Sequence, residues 1–132
     1  MRDLKKILLI RFSSLGDIVL SSPLIRVLRN AYPGAQIDFI VKREYAELLK
    51  CNPHLSSVIE LRSDDKRELN SLKERVRQER YDAILDIHNS LRSRYVRTLA
   101  GARFVKVVNK RLVERFLLVR FKRDFYRGVV PV

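Results

Sequence analysis

The chain has 132 residues, 46% of them hydrophobic, which is enough for one domain with a buried core and too little for two full domains. Lys and Arg outnumber Asp and Glu by 28 to 15, so the formal net charge is +13 and we expect an anionic partner. That partner is a nucleic acid, a membrane surface or a phosphorylated substrate.

The cysteine and hydropathy patterns bound the class further. The single cysteine, Cys51, excludes an internal disulfide, and no Cys or His stands at zinc-ligand spacing, so we expect no structural metal and a helix-packing role for Cys51. No apolar stretch approaches the ~20 residues that span a bilayer, and the N-terminus lacks a secretory pattern. The sequence therefore predicts a cytoplasmic location.

The first thirty residues carry the clearest pattern. Lys5 to Ile10 is a short β-branched run that predicts a strand buried on both faces, central in a parallel sheet. Arg11 to Asp17 follows with small and polar residues, with Gly16 for an unusual backbone angle and an acid where a helix begins. Ligands of open α/β sheets bind at such strand-to-helix loops.

Asp17 to Ala31 has helical periodicity, with Leu20, Leu24, Leu28 and Ala31 predicted on one apolar stripe. Pro23 leaves two alternatives. One is a single kinked helix from Asp17, and the other is a short first turn followed by a helix capped by Ser22.

The remaining elements alternate between strand and helix. Each gap contains a turn signal, and Ser63-Asp64-Asp65 offers helix-capping oxygens. The alternation predicts βαβ units in a parallel three-layer α/β sandwich of the Rossmann-like class. The predicted strands are 36–41, 58–61, 83–87 and 104–108. The predicted helices are 44–50, one that follows Ser63-Asp64-Asp65 and runs to about Arg80, and 90–100, the last with Leu91, Tyr95 and Leu99 on one face and Gly101 ending it.

The C-terminal third is strongly basic. Twelve Lys or Arg residues lie between Arg92 and Arg127, against two acids, Glu114 and Asp124. A run of this kind is either a solvated face or a surface that meets phosphate.

The loop after the first strand is the first candidate site. With one glycine it is neither a dinucleotide fingerprint nor a P-loop. Ser13, Ser14 and the N–H groups around Gly16 can hydrogen-bond a polar ligand, and Asp17 can accept a proton. The alternative is that Asp17 only caps a helix.

The end of the fourth strand is the second candidate. His88 and Asn89 are polar residues expected to lie near the first loop, and Arg92 on the following helical turn can bind an anion. The alternative for His88 is a hydrogen-bonded structural role.

These two stretches, KILLIRFSSLGDIVLSSPLIRVLR and YDAILDIHNSLRS, resemble the N-terminal half of glycosyltransferase family 9, the lipopolysaccharide heptosyltransferases. The resemblance covers essentially the whole chain. It implies the acceptor-side Rossmann-like domain of a GT-B fold over residues 1–132, itself incomplete, with the C-terminal donor-binding domain absent.

The resemblance also implies roles for residues. Asp17 matches the family's general base, while Ser13, Ser14 and Gly16 match the loop around it. Acceptor contacts would come from that loop and the second stretch, where the family's common Gln-Gly is replaced by His88-Asn89, followed by Arg92 and Ser93.

As a function, the resemblance implies inverting transfer of heptose or a related sugar to the lipopolysaccharide inner core, without cofactor or metal. The donor would be ADP-heptose or another nucleotide sugar, bound mainly by the absent domain. The acceptor is anionic, and the basic C-terminal third would contact the inner membrane peripherally. Two alternatives remain: a basic α/β module that binds nucleic acid through Arg92, Arg94, Arg97 and Lys110-Arg111, for which no motif is present, and a flavodoxin-like regulatory domain.

Overall fold

The structure of the protein, a computed structural model, describes residues 4–13, 15–63 and 65–107. Val108 and the basic segment from Lys110 onward lie outside the described residues, as do Ser14 and Asp64. The strands are β1 (Lys6–Ile10), β2 (Gln36–Lys42), β3 (Ser57–Leu61), β4 (Ala83–Asp86) and β5 (Phe104–Val107). The helices are α1 (Leu15–Leu20), α2 (Ser22–Ala31), α3 (Ala46–Lys50, preceded by a 3-10 turn at Arg43–Tyr45), α4 (Lys66–Glu79) and α5 (Leu91–Arg97).

The five strands form one parallel sheet in the order β3-β2-β1-β4-β5. The prediction of a central first strand is confirmed, and Ile7 to Ile10 are fully buried because helices cover both faces of the sheet. Helices α1, α2 and α3 pack on one face, whereas α4 and α5 pack on the other. The predicted α/β class, a Rossmann-like three-layer sandwich, is confirmed.

The order of strands places a topological switch point at the centre of the sheet. The chain leaves β1 toward β2 and β3, then returns to β4 on the other side of β1. Crossovers therefore diverge at the carboxyl ends of β1 and β4, which opens a crevice between their loops. Both loops that the sequence marked as candidate sites lie at this edge.

Of the two alternatives for residues 17–31, the break into two helices is correct. Its predicted cap is wrong, because Ser21 rather than Ser22 precedes α2, and the buried Ser21 hydroxyl donates to the Ile18 carbonyl at 2.5 Å. The break changes the helical phase, so Ile18 and Ile25 face the core while Leu20 is 44% exposed. The predicted stripe of one continuous helix is therefore wrong at Leu20.

The fifth helix also differs from its prediction. It ends at Arg97, after which Leu99 adopts φ 58°. Leu91 and Leu99, predicted to share one face of this helix, are exposed, because the cap at Ser90 sets a phase that buries Ser93 and Val96 instead. Cys51, predicted to pack between helices, is also exposed, since α3 ends immediately before it.

Candidate functional site

Arg11 is the first residue after β1, and its side chain connects the two candidate loops. Its Nη2 donates to the Asp17 carboxylate at 2.5 Å, and its Nη1 donates to the Ile87 carbonyl at 3.1 Å. The Arg11 and Asp17 side chains are only 12% and 17% exposed, so solvent screens this pair less than a surface pair. The guanidinium therefore joins the start of α1 to the end of β4.

Asp17 is the third residue of α1, not its N-cap. An acid in the first turn still complements the helix dipole, so that part of the structural alternative stands, and the carboxylate is also held in an ion pair with Arg11. Gly16 beside it is exposed, and its φ is not positive, so the expectation of an unusual backbone angle there is wrong. A Cβ added at Gly16 would meet no atom within 4 Å.

The turn after β4 is built around Asp86, which is fully buried. One carboxylate oxygen accepts from the N–H groups of His88 and Asn89, at 3.1 and 2.8 Å. The other accepts from Arg97 Nε at 2.8 Å. These bonds hold Asn89 in the left-handed region, at φ 50°, so the backbone of the turn is fixed by α5.

Ser90 and Ser93 then begin α5 through reciprocal hydrogen bonds between their hydroxyls and backbone N–H groups. Ser93 is buried, and its hydroxyl also donates to the Ser90 carbonyl. The Ser93 side chain thus supports the start of the helix, and its predicted contact with an acceptor stays a prediction.

His88 lies between the two loops. Its ring packs against the ring of Phe12 with centroids 5.2 Å apart. Burial, followed by the charge of Arg11, lowers the pKa of His88 below its ordinary value of 6.5. The imidazole is therefore neutral at pH 7.

Two buried side-chain nitrogens in the described part of the chain lack a hydrogen-bond partner, and both are at this junction. They are Nε of Arg11 and Nδ1 of His88. An unpartnered buried donor or acceptor costs about 1–3 kcal/mol, so such groups are rare and need an explanation.

The carboxyl edge is basic beyond the switch point. A cleft of about 110 Å³ at the ends of β2 and β3 is lined by Lys42, Arg43, Glu44, Leu61, Arg62 and Ser63. On the other side Arg92 is half-buried, and its charge also lowers the pKa of His88. This edge of the sheet can hold an anionic ligand.

The structure thus brings Ser13, Gly16, Asp17, His88, Asn89 and Arg92 to one edge of the sheet. Ser14 lies outside the described residues. Sequence reasoning gave no role to Arg11 or Asp86, and it considered Arg97 only as a phosphate contact of the nucleic-acid alternative. The signal for Asp86 was an acid at the end of a buried strand, before a polar turn.

No group of His, Cys, Asp or Glu that could hold a metal ion occurs among residues 4–13, 15–63 and 65–107. Over the same residues, no helix has the length and apolar character needed to cross a membrane. A larger cavity of about 430 Å³ lies beside the first turn of α2 and the turn after α3, and none of the predicted site residues lines it.

The fold corresponds to that of known glycosyltransferases. A glycosyl transferase family 9 structure from Veillonella parvula superposes with a TM-score of 0.72 at 22% identity, over 88% of this chain and 35% of that one. The structure of E. coli ADP-heptose lps heptosyltransferase II gives a TM-score of 0.67 at 31% identity, over 77% and 30%.

Curated relatives agree with these structures. Lipopolysaccharide heptosyltransferase 1 of Pseudomonas aeruginosa is 27% identical over 131 residues, which are 92% of this chain and 37% of that protein. The Campylobacter coli protein of the same name is 28% identical over 93 residues, 69% of this chain and 27% of its own length. No family model matches. The resemblance to the family 9 heptosyltransferases is confirmed, and the chain spans about a third of these relatives.

Proposed function

We propose that the chain is the acceptor-side domain of an inverting glycosyltransferase. It would act in transfer of heptose, or a related sugar, from a nucleoside-diphosphate sugar such as ADP-heptose to the lipopolysaccharide inner core. The observation that carries the proposal is the Asp17 carboxylate at the switch point, beside the His88-Asn89 turn and a basic edge. The names of the relatives supply the substrate class.

In this reaction the acceptor hydroxyl attacks the anomeric carbon of the donor sugar. The new carbon–oxygen bond forms as the bond to the nucleoside diphosphate breaks, and the hydroxyl proton passes to the Asp17 carboxylate. Such general base catalysis contributes about 10²–10⁴ in rate. Because Arg11 stabilises the charged form of Asp17, the proton is transferred late, after most of the leaving-group bond has broken.

The basic edge would bind the acceptor. Lys42, Arg43 and Arg62 line a cleft that suits carboxylate or phosphate groups, and Arg92 lies at the start of α5 beside the turn. The donor would be bound mainly by a second domain, and stabilisation of the leaving group would come from there. The proposed location is the cytoplasm, with peripheral contact at the inner membrane.

The nucleic-acid alternative has less support. Of its proposed phosphate contacts, Arg97 is engaged with the buried carboxylate of Asp86, and Arg94 Nε donates to the Asn89 side chain. Lys110 and Arg111 lie outside the described residues. We therefore rank the transferase function first.

The test is Asp17→Asn in a chimera in which this chain replaces the matching third of the Pseudomonas aeruginosa relative. We expect turnover to fall by about 10²-fold or more with acceptor affinity nearly unchanged, because an amide cannot take the proton. The matched control is Asp65→Asn, since Asp65 caps α4 through the Glu68 N–H and Asn caps equally well.

Two outcomes would count against the proposal. Turnover of Asp17→Asn at the level of the unmutated chimera would remove the base. Salt-dependent binding of nucleic acid by the chain, with no response to sugar nucleotide or core oligosaccharide, would favour the binding module. The 132 residues alone are expected to transfer no sugar, since the proposed donor contacts belong to a second domain.

A further inference from the structure

Arg11 makes more connections at the switch point than a surface arginine needs. Its backbone N–H donates to the Ile40 carbonyl of β2 at 3.1 Å, and its two terminal nitrogens reach Asp17 and the Ile87 carbonyl. One residue therefore ties β2, α1 and the end of β4 together around the candidate carboxylate.

The geometry is specific to a guanidinium. Two nitrogens of a planar fork donate in different directions, to a carboxylate on α1 and to a main-chain carbonyl after β4. A lysine ammonium is a point charge, so it can keep the attraction to Asp17 but has no rigid fork with which to hold both acceptors. Both the charge and the shape of the side chain are used.

The contacts are also not arranged for stability alone. Arg11 Nε is buried without a hydrogen-bond partner, whereas Nε of the part-buried Arg97 donates to Asp86 and Nε of the part-buried Arg29 donates to the His54 carbonyl. Local rules broken at one point of an otherwise consistent fold are typical of functional sites. The Arg11 guanidinium is thus oriented by its bonds to Asp17 and Ile87, although this orientation leaves its Nε without a partner.

We propose that Arg11 is a positioning residue for Asp17. It fixes the rotamer of the carboxylate, and so keeps the proposed base at a constant position relative to the His88-Asn89 turn. The inference rests on the proposed function in one respect, namely that the proton taken by Asp17 comes from the acceptor hydroxyl. The positioning itself is a property of the folded chain and can be measured without turnover.

The experiment uses the whole 132-residue chain, labelled with ¹³C and ¹⁵N. Three-bond couplings to the Asp17 carboxyl carbon report its χ1 rotamer. They are measured at one fixed pH, because other charged or titratable groups, His88, Asp86 and Arg92, face this junction.

We expect both Arg11→Met and Arg11→Lys to average the Asp17 rotamer, because neither side chain has the planar fork that holds both acceptors. The matched control is Lys6→Met, which removes a cation and its 2.9 Å pair with Glu79 at the other end of β1 and should leave the Asp17 rotamer unchanged.

A fixed wild-type rotamer in Arg11→Lys would overturn the proposal, even if Arg11→Met fails to fold. So would a response of Asp17 to Lys6→Met equal to its response to Arg11→Met. Failure of the proposed function is a separate result, because inactivity or full activity of Asp17→Asn in the chimera leaves the couplings of the chain unaffected.

Discussion

The buried carboxylate of Asp86 and Nε of Arg97 are 2.8 Å apart, joining the end of β4 to the last turn of α5. Asp86 is fully buried and also holds two backbone N–H groups, so its loss leaves several donors unpaired. Removing one partner of a buried ion pair typically costs about 3–5 kcal/mol. We therefore expect Asp86→Ala to lower the free energy of unfolding by about 3 kcal/mol, the smaller end because Arg97 keeps partial contact with solvent.

Urea denaturation of the chain measures this effect. The matched control is Arg103→Met, which removes a 3.5 Å contact to Asp82 from a side chain that is 63% exposed and should cost less than about 1 kcal/mol. Equal shifts of the two denaturation midpoints would show that Asp86 does not organise the turn.

Tyr81 makes the free energy of unfolding depend on pH in the alkaline range. Its hydroxyl donates to the buried Asp38 carboxylate at 2.6 Å, and burial, followed by this hydrogen bond, raises the pKa of Tyr81 above its ordinary value of 10.0. Above pH 10 the unfolded chain loses the phenolic proton while the folded chain keeps it. The free energy of unfolding therefore falls as pH rises past 10, by up to about 1.4 kcal/mol per pH unit from this group.

Urea denaturation at pH 8 and pH 10.5 tests this dependence. Tyr81→Phe should lose about 1–2 kcal/mol at pH 8, because Asp38 keeps its bonds from Gln36 and Ser57, and should show a weaker decline toward pH 10.5. Tyr32→Phe serves as the control for loss of a tyrosine hydroxyl elsewhere. An unchanged decline in Tyr81→Phe would assign the alkaline pH dependence to other groups.

His88 gives a dependence of opposite sign. Burial and the Arg11 charge lower the pKa of His88, so near pH 6.5 the imidazole binds a proton in the unfolded chain and stays neutral in the folded chain. The contribution of His88 to stability is complete above pH 6.5 and is lost as pH falls below it. We expect the imidazole to titrate below 6.5 and Arg11→Met to move that midpoint upward.

The chain contains two histidines, so His54→Gln leaves a single imidazole and an unambiguous NMR titration. A midpoint at or above 6.5 would contradict the prediction. A depressed midpoint that is unchanged in Arg11→Met would mean that burial alone accounts for it.

The parts of the fold that depend on local pattern were predictable. The apolar run from Ile7 to Ile10 identified the central strand, and the strand–helix alternation identified the parallel sheet. Periodicity failed where a break or a cap resets the helical phase. Ser21 turns Leu20 outward, and Ser90 does the same to Leu91, because a change of one residue in phase rotates a helix by about 100°.

The candidate site was predictable as a place but not as a set of contacts. Strand ends followed by polar residues located Asp17 and His88, since parallel strands bring such ends to one edge. Arg11 bonds to a carbonyl at the end of a distant strand, and Arg97 bonds to a carboxylate that lies before the helix that contains it. Nothing in the neighbouring sequence distinguishes these two arginines from the other Lys and Arg residues among the 28 in the chain. Whether the predicted site residues contact an acceptor remains a prediction.

The central position of β1 has a consequence for synthesis of the protein. Strand β1 leaves the ribosome before both of its partners, which are β2 and, for Ile7 to Ile10, the β4 residues Ala83 to Asp86. At roughly 5–20 residues per second, the strand waits about 4–15 s between its own emergence and that of its second partner. Throughout that interval its apolar run has an unpaired edge and an uncovered face. The nascent chain is therefore a substrate for chaperones that bind short extended hydrophobic segments, and slow codons between β3 and β4 would lengthen its exposure.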